Sequence, residues 1–220
     1  MKQFLKNLDV KVFKGLHDPI PDYLRIIEKE IVGCESLLDV GCGGFSPLKD
    51  LNKKMKKSFG VDGFKPSIDA AIKRKTHSEN KVINVLKLRK FFKDKSFDCI
   101  VALDLIEHLT KEEGVKLLDD LEKLAKKKVI IFTPNGFVPQ DEYDGNAYQI
   151  HKSGWGYKEM EKKGYKVYGL NGLKALRGEY AKVKFKPAAL WERISYGSKL
   201  LMKLIPSASY QILAVKNVSR

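Results

Sequence analysis

A glycine-dense turn directly after a short apolar strand is the feature that most constrains this chain. Residues 36–40 form an apolar run that contains Asp39, and residues 41–44 read Gly-Cys-Gly-Gly. Glycines let the backbone adopt left-handed conformations and let a ligand come close to the main chain. Pro47 follows where a helix could begin. This order predicts a strand-to-helix turn that binds a ligand, although a tight turn without a ligand also fits.

A second carboxylate stands at the end of the next predicted strand. Asp62 closes the apolar run at residues 58–62 and lies 21 residues after Gly41. An acidic residue at this separation can accept both hydroxyls of a ribose. Because the carboxyl ends of adjacent parallel strands meet at one edge of a sheet, the turn and Asp62 together predict an adenosine-binding crevice.

Short apolar runs alternate with amphipathic stretches along the chain, which predicts an α/β fold with a mostly parallel sheet. Helices are predicted after Pro66, after the capping-box pattern that begins at Thr110, and over residues 155–162. The predicted strands are 36–40, 58–62, 81–84, 97–103, 128–133, 165–168 and 210–215.

Composition bounds the class of protein. The 220 residues are 43% apolar, which is enough for a sizeable core. No run reaches the ~18 apolar residues of a membrane-spanning helix. No repeat or linker divides the chain, so we expect one domain over residues 1–220, with a core at about 20–170 and a C-terminal part at 171–220. The three cysteines form no C-x-x-C pair, which argues against a disulfide framework or a cysteine-rich zinc site and favours the cytoplasm; we expect no metal.

Basic charge is concentrated toward the C-terminal end. The formal net charge is +15, and residues 151–220 hold 15 Lys and Arg against 4 Asp and Glu. Such a segment attracts the phosphates of a nucleic acid, a membrane surface or an anionic substrate, although a lysine-rich surface also serves solubility alone. Within residues 187–206, one helical face is apolar, and its members are Leu190, Trp191, Ile194, Leu201, Leu204 and Ile205. This face predicts either a membrane-surface helix, which would bring the protein to the inner membrane surface, or an ordinary core-packing helix.

Four segments resemble the class I S-adenosylmethionine-dependent methyltransferases, in the group that includes small-molecule enzymes of the ubiquinone-biosynthesis type. The segments are LLDVGCGG (37–44), GVDGFKPS (60–67), FKDKSFDCIVALDLIEHL (92–109) and KKVIIFTPNG (127–136). The resemblance implies a Rossmann-like seven-stranded sheet, mostly parallel with the last strand antiparallel, and helices on both faces. It implies S-adenosyl-L-methionine as cofactor and S-adenosyl-L-homocysteine as product. Phe45 replaces the third glycine of the usual series, which implies a modified turn.

The resemblance also implies the residues of the cofactor site. Asp39 and the turn at 41–43 would surround the amino-acid part, and Asp62 would hold the ribose, with the next two residues beside the adenine. The pair at 84–85 would face the adenine amino group, and the pair at 103–104 the methionine part. The full set is Asp39, Gly41, Cys42, Gly43, Asp62, Gly63, Phe64, Asn84, Val85, Leu103 and Asp104.

Methyl transfer requires little acid–base catalysis by the protein, because the cofactor is intrinsically activated. His151 follows a long polar loop at 134–149, and related methyltransferases often carry a His just before the next helix, near the acceptor. We therefore take His151 as the candidate base. Glu107 and His108 follow the fourth predicted strand, where we expect them to order the backbone.

The acceptor is expected to be a small molecule, a lipid or a glycan precursor with a hydroxyl or carbon to methylate. Residues 103–106 read LDLI where methyltransferases of base amino groups carry N-P-P-aromatic, so that reaction is disfavoured. An RNA methyltransferase is the alternative that the basic charge supports, although nucleic acid is the less favoured partner. A nicotinamide-dependent dehydrogenase and a cofactor-binding protein without activity also remain open.

Overall fold

The computed structural model describes residues 22–142, 146–178, 182–202 and 204–218. Its helices are α1 (Asp22–Glu30), α2 (Lys49–Asn52), α3 (Lys65–Arg74), α4 (Lys111–Leu124), α5 (Tyr157–Lys162), α6 (Ala188–Gly197) and α7 (Lys199–Met202). Its strands are β1 (Ser36–Val40), β2 (Lys57–Asp62), β3 (Glu79–Val82), β4 (Phe97–Leu103), β5 (Ala125–Pro134), β6 (Lys166–Leu173) and β7 (Ser209–Asn217).

The strands form one seven-stranded sheet in the order β3-β2-β1-β4-β5-β7-β6. Strands β1 to β5 pair in parallel, and β7 runs antiparallel to both of its neighbours. The predicted fold, with a mostly parallel sheet and an antiparallel last strand, is therefore confirmed. The chain first builds outward from β1 to β3 and then returns to place β4 on the other side of β1. This reversal makes the β1–β4 boundary a topological switch point.

Apolar side chains cover both faces of the sheet, because alternate residues of an inner strand point to opposite sides. In β4, Ile100 and Ala102 pack in the layer that contains α4, whereas Cys99 and Val101 pack in the layer that contains α1. All but the last residue of β4 are buried. The strand reads as a continuous apolar run for this reason.

The capping box predicted at Thr110 is present. The Thr110 hydroxyl oxygen accepts the amide of Glu113 at 3.3 Å, and the Glu113 carboxylate accepts the amide of Thr110 at 3.0 Å. Two amides that the first turn of a helix leaves without partners are thereby satisfied. Helix α4 consequently starts at a fixed residue, five positions after the buried Ile106.

Several predicted boundaries differ from the structure, and two of them have a clear local cause. The third strand ends at Val82, not at Asn84, because the Asn84 side chain accepts the Leu86 amide at 2.9 Å and caps a 3₁₀ turn at Val85–Lys90. The helix predicted over 155–162 begins at Tyr157. Trp155 is fully buried in the core and precedes the helix.

The C-terminal helices turn their small and polar side chains toward the sheet. Ser195, Ser198 and Met202 are buried, and the Leu173 amide of β6 donates to Ser198 Oγ at 3.1 Å. The apolar side chains on the outside are Leu190, Ile194, Leu201, Leu204 and Ile205, all exposed. One side of these helices therefore packs on β6 while the predicted apolar face is largely exposed, so the choice between the two alternatives stays a prediction. None of the described helices is both long enough and apolar enough to span a bilayer.

Close packing of Trp155 on α4 gives a prediction for stability. A Cβ added at Gly114 would lie 2.3 Å from Trp155 Cζ2, and the ring is buried on every side. Overpacking of this kind costs about 1–3 kcal/mol. Replacing glycine by alanine in a helix gains only ~1 kcal/mol, so the cost of overpacking outweighs the gain. We expect Gly114→Ala to lower the melting temperature, measured by circular dichroism. Gly197→Ala is the control, since a Cβ there meets nothing within 4 Å; equal melting temperatures for the two variants would contradict the packing account.

Candidate functional site

The predicted crevice lies at the switch point of the sheet. The glycine turn leaves the carboxyl end of β1, Asp62 ends β2, and Asp104 follows β4. These three parallel strands are neighbours in the sheet, so their carboxyl ends meet along one edge. Ligands of open α/β sheets bind outside this edge, at the point where the strand order reverses.

The glycine turn is held to β2 by its backbone. The amides of Gly41 and Cys42 both donate to the carbonyl of Val61, at 2.8 and 3.0 Å. Gly41 and Gly43 have φ values of 72° and 57°, a region that favours glycine. A Cβ at Gly41 would lie 2.8 Å from a methyl of Leu105, whereas a Cβ at Gly43 meets nothing within 4 Å. Gly41 therefore serves close packing, and Gly43 borders open space.

Asp62 joins the turn to the following loop. Its Oδ2 accepts the Gly43 amide at 3.0 Å, and its Oδ1 accepts the Phe64 amide at 2.8 Å. Burial raises the pKa of Asp62, and the two amides oppose that rise. Each carboxylate oxygen keeps a further lone pair, so the group can still accept hydroxyls from a ligand.

Asp39 lies beneath the turn. The carboxylate is almost fully buried, and its Oδ2 accepts Ser46 Oγ at 2.6 Å and His77 Nε2 at 3.0 Å. These bonds support the turn from below. The amides at 41–43 also have acceptors inside the protein, so a cofactor contact by Asp39 or by these amides stays a prediction.

The remaining predicted cofactor residues lie along the same edge, in different environments. Gly63 and Phe64 are half-buried, and a Cβ at Gly63 would lie 3.7 Å from the ring of Tyr148. Asn84 is exposed with its side-chain oxygen on the Leu86 amide, and Val85 is buried in the core.

The end of β4 turns sharply at Asp104. Leu103 is half-buried, and Asp104 adopts φ 46° while its amide donates to the carbonyl of Phe132. Asp104 Oδ1 accepts Gln211 Nε2 at 3.3 Å.

Two contacts of the site were not predicted from the sequence. Tyr148 lies next to Gly63, although it belongs to a loop more than 80 residues later in the chain. The only indication of this contact in the sequence was an aromatic residue in a long polar loop. Phe45 is exposed, and its ring lies 3.4 Å below the guanidinium carbon of Arg74. This cation–π contact anchors the turn where a third glycine is absent.

Glu107, His108 and His151 lie together beside the crevice. One potential ligand atom from each of the three side chains lies within 4.8 Å of the others, and the two imidazole rings meet edge to face at 4.8 Å. Burial raises the pKa of Glu107 well above its usual range, and the charge of Asp104 raises it further. Burial, together with His151, lowers the pKa of His108 to about 4, and burial also lowers the pKa of His151. Both imidazoles are therefore neutral at pH 7.

Backbone hydrogen bonds place His151 next to His108. The amides of Lys152 and Ser153 both donate to the carbonyl of Glu107, at 2.8 and 3.1 Å. Ser153 Oγ accepts Trp155 Nε1 at 3.0 Å, and the Trp155 ring is part of the core. The segment that carries His151 is thus fixed to the 3₁₀ turn at Ile106–His108.

A cavity of about 280 Å³ opens beside this segment. Its wall includes Val138, whose carbonyl accepts His151 Nδ1 at 2.6 Å. The cationic side chains in the wall are Lys174, Arg177 and Lys184, and the aromatic ones are Phe137 and Tyr210. The cavity suits an anionic or aromatic molecule next to His151.

Known proteins of one family resemble this chain. A family model described as a methyltransferase domain matches residues 38–133. A ubiquinone biosynthesis O-methyltransferase of Rickettsia bellii is 25% identical over 156 residues, which cover 62% of this chain and 64% of that protein. A small RNA 2'-O-methyltransferase of Tetrahymena thermophila is 22% identical over 207 residues, which cover 77% of this chain and 47% of that protein. The chain thus spans less than two thirds of the length of either relative.

A solved structure shares this fold. The crystal structure of a SAM-dependent methyltransferase from Archaeoglobus fulgidus superimposes with a TM-score of 0.55 at 18% identity, over 88% of this chain and 93% of that one. The two proteins therefore share their fold. The matched domain, the relatives and the fold together support a class I S-adenosylmethionine-dependent methyltransferase.

Proposed function

We propose that this protein transfers a methyl group from S-adenosylmethionine to a hydroxyl of a small-molecule, lipid or glycan acceptor. The observation that carries the proposal is the crevice at the switch point, where the turn at 41–44 and Asp62 lie together. When bound there, the cofactor supplies a methyl group on a positively charged sulfur. S-adenosylhomocysteine is the second product.

The residues at the crevice fit this cofactor. Gly43 borders open space, and Asp62 keeps lone pairs for the two ribose hydroxyls. Gly63 and Phe64, with the ring of Tyr148 near by, would enclose the adenine, and Asn84 and Val85 would border it. The turn after β1 and the pair Leu103 and Asp104 would border the methionine part.

The acceptor would enter from the cavity beside Val138. Its hydroxyl oxygen bonds to the methyl carbon as the carbon–sulfur bond breaks, and the hydroxyl proton needs a base. His151 fits this role, since its Nδ1 donates to the Val138 carbonyl and its Nε2 therefore carries a lone pair. The cationic wall favours an acceptor with a carboxylate or phosphate.

A change at Asp62 tests the placement of the ribose. We expect Asp62→Ala to weaken S-adenosylhomocysteine binding by about 1–3 kcal/mol, which is roughly 5- to 150-fold, because charge-assisted hydrogen bonds are lost. Isothermal titration calorimetry measures this affinity. Asp69→Ala is the control, since Asp69 is exposed and pairs only with Lys65 among the described residues. An unchanged affinity in Asp62→Ala would place the ribose elsewhere.

Ligand-dependent melting separates a methyltransferase from a dehydrogenase. A ligand of the folded state at 100 times its dissociation constant stabilises a protein by about 2.7 kcal/mol. We expect S-adenosylhomocysteine to raise the melting temperature and NAD to leave it unchanged. The reverse pattern would contradict the proposed cofactor.

An RNA acceptor is the second candidate. It is favoured by the net charge of +15 and by the match to the small RNA 2'-O-methyltransferase. Labelled S-adenosylmethionine, incubated with the protein and an extract divided into lipid, small-molecule and RNA pools, distinguishes the acceptors. Label in the RNA pool alone would overturn the first proposal, and binding without label in any pool would indicate a cofactor-binding protein without activity.

The C-terminal helices supply a surface for an anionic membrane, which would place this cytoplasmic protein peripherally at the inner membrane surface. The exposed apolar side chains of α6 and α7 are near basic residues in the sequence, and the basic set is Lys182, Lys184, Lys186, Arg193 and Lys199. Apolar side chains that enter the headgroup region with basic side chains around them are typical of interfacial helices. A lipid acceptor would be presented on this surface.

Vesicle sedimentation tests this surface. We expect the protein to bind vesicles that contain phosphatidylglycerol, and to bind phosphatidylcholine vesicles weakly. Leu190→Glu combined with Ile194→Glu should abolish sedimentation with the anionic vesicles, whereas Ile72→Glu, at an equally exposed apolar residue of α3, should not. Equal sedimentation of both variants would contradict a role of α6 in membrane binding.

A further inference from the structure

We propose that Glu107, His108 and His151 form a binding site for a divalent transition-metal ion, with the Asp104 carboxylate close by. The ion would hold the acceptor hydroxyl, so this inference deepens the proposed function and rests on it. The expectation of no metal was based on the cysteines. Nothing in the sequence indicated that Glu107, His108 and His151 lie together in the fold.

The first argument is distance. Metal–nitrogen and metal–oxygen bonds of about 2.0–2.2 Å place two ligand atoms roughly 3 to 4.3 Å apart. The ligand atoms of Glu107, His108 and His151 all lie within 4.8 Å of one another, although His151 is 43 residues beyond His108. Adjustments of a few tenths of an ångström would close the site. The backbone bonds from Lys152 and Ser153 to Glu107 hold the two segments at this separation.

The second argument is the orientation of the imidazoles. His108 Nδ1 donates to the Ile150 carbonyl at 3.3 Å, and His151 Nδ1 donates to the Val138 carbonyl at 2.6 Å. A carbonyl only accepts, so each Nδ1 carries the proton and each Nε2 carries a lone pair. Histidines that bind metals are oriented in this way, with the second nitrogen donating to a carbonyl or carboxylate.

The third argument is the buried carboxylate. Glu107 is 2% exposed, and its Oε2 accepts a hydrogen bond from Thr133 Oγ1 at 3.0 Å. In the described part of the chain, no Lys or Arg forms an ion pair with Glu107. A buried carboxylate without a cation is costly, and a divalent cation would offset that cost.

The location gives the ion a use. Leu105 packs against Gly41 of the cofactor turn, and Val138 lines the cavity proposed for the acceptor. Glu107 and His108 follow Leu105 closely in the chain, and His151 is hydrogen-bonded to the Val138 carbonyl. An ion there lowers the pKa of a bound hydroxyl and fixes its oxygen. With the ion bound, the Nε2 lone pair of His151 is a metal ligand, which replaces the base role proposed above for His151. The proton of the hydroxyl then leaves to solvent as the oxygen binds the ion.

The donor set selects the type of ion. Two imidazole nitrogens and one or two carboxylates favour Mn²⁺, Co²⁺ or Zn²⁺ over Mg²⁺, which prefers oxygen ligands alone. We therefore expect Mn²⁺ and Co²⁺ to bind the site in the presence of a tenfold excess of Mg²⁺.

Metal binding by the full chain tests the proposal without an acceptor. The free Mn²⁺ signal in electron paramagnetic resonance measures binding, and the visible absorption of Co²⁺ reports imidazole ligation. We expect one Mn²⁺ per chain, with affinity reduced at least tenfold in Glu107→Gln and in His151→Asn. Asp119→Asn is the control, since Asp119 is an exposed carboxylate of α4. Each variant is also titrated with S-adenosylhomocysteine to show that it is folded.

Two results would overturn the metal site: no Mn²⁺ or Co²⁺ binding by the unchanged chain at millimolar metal, or equal binding by the unchanged chain and both ligand variants. Failure of the proposed cofactor gives a different result. In that case Mn²⁺ binds and depends on Glu107 and His151, while S-adenosylhomocysteine gives no heat. The two proposals therefore fail separately.

Discussion

The carbonyl of Val61 holds the candidate site together. It accepts both the Gly41 and Cys42 amides, and so binds the turn after β1 to the last residues of β2. Asp62, the next residue, then accepts the Gly43 amide and ties the turn a second time. Without these bonds, the turn would not be fixed at the switch point of the sheet. The candidate crevice is thus built chiefly from backbone groups and one carboxylate.

Local patterns in the sequence were sufficient to predict the strands and one helix start, whereas the number of strands in the sheet and its antiparallel last strand came from the family resemblance. Buried parallel strands are short apolar runs, and β1, β2 and β4 were found at or within one residue of their observed bounds. The capping box at Thr110 is a contact between residues three apart, so it can be read from the sequence directly. Asp62 and the glycine turn were also placed together, because parallel strands bring their ends to one edge.

Contacts between distant segments could not be predicted in this way. His151 meets Glu107 and His108 only because a long loop returns to the end of β4, and no periodicity records that path. Tyr148 reaches Gly63 by the same loop. The burial of Asp39 beneath the turn depends on Ser46 and His77, which no strand pattern connects to it. The orientation of α6 was ambiguous for a related reason, since an apolar face indicates burial without saying whether protein or lipid provides it.

Trp155, in the segment before α5, is buried against Gly114. This burial has a consequence for which residues can be exchanged in such a protein. The residues just before the tryptophan share the rigidity of the core, so changes there carry a penalty in stability. The Phe137 side chain, in the part of the loop nearer β5, is exposed and lacks that constraint, although its backbone packs on Gly154. Altered acceptor preference would therefore be acquired most readily by exchanging residues around Phe137, with the histidine-bearing segment kept as a fixed frame.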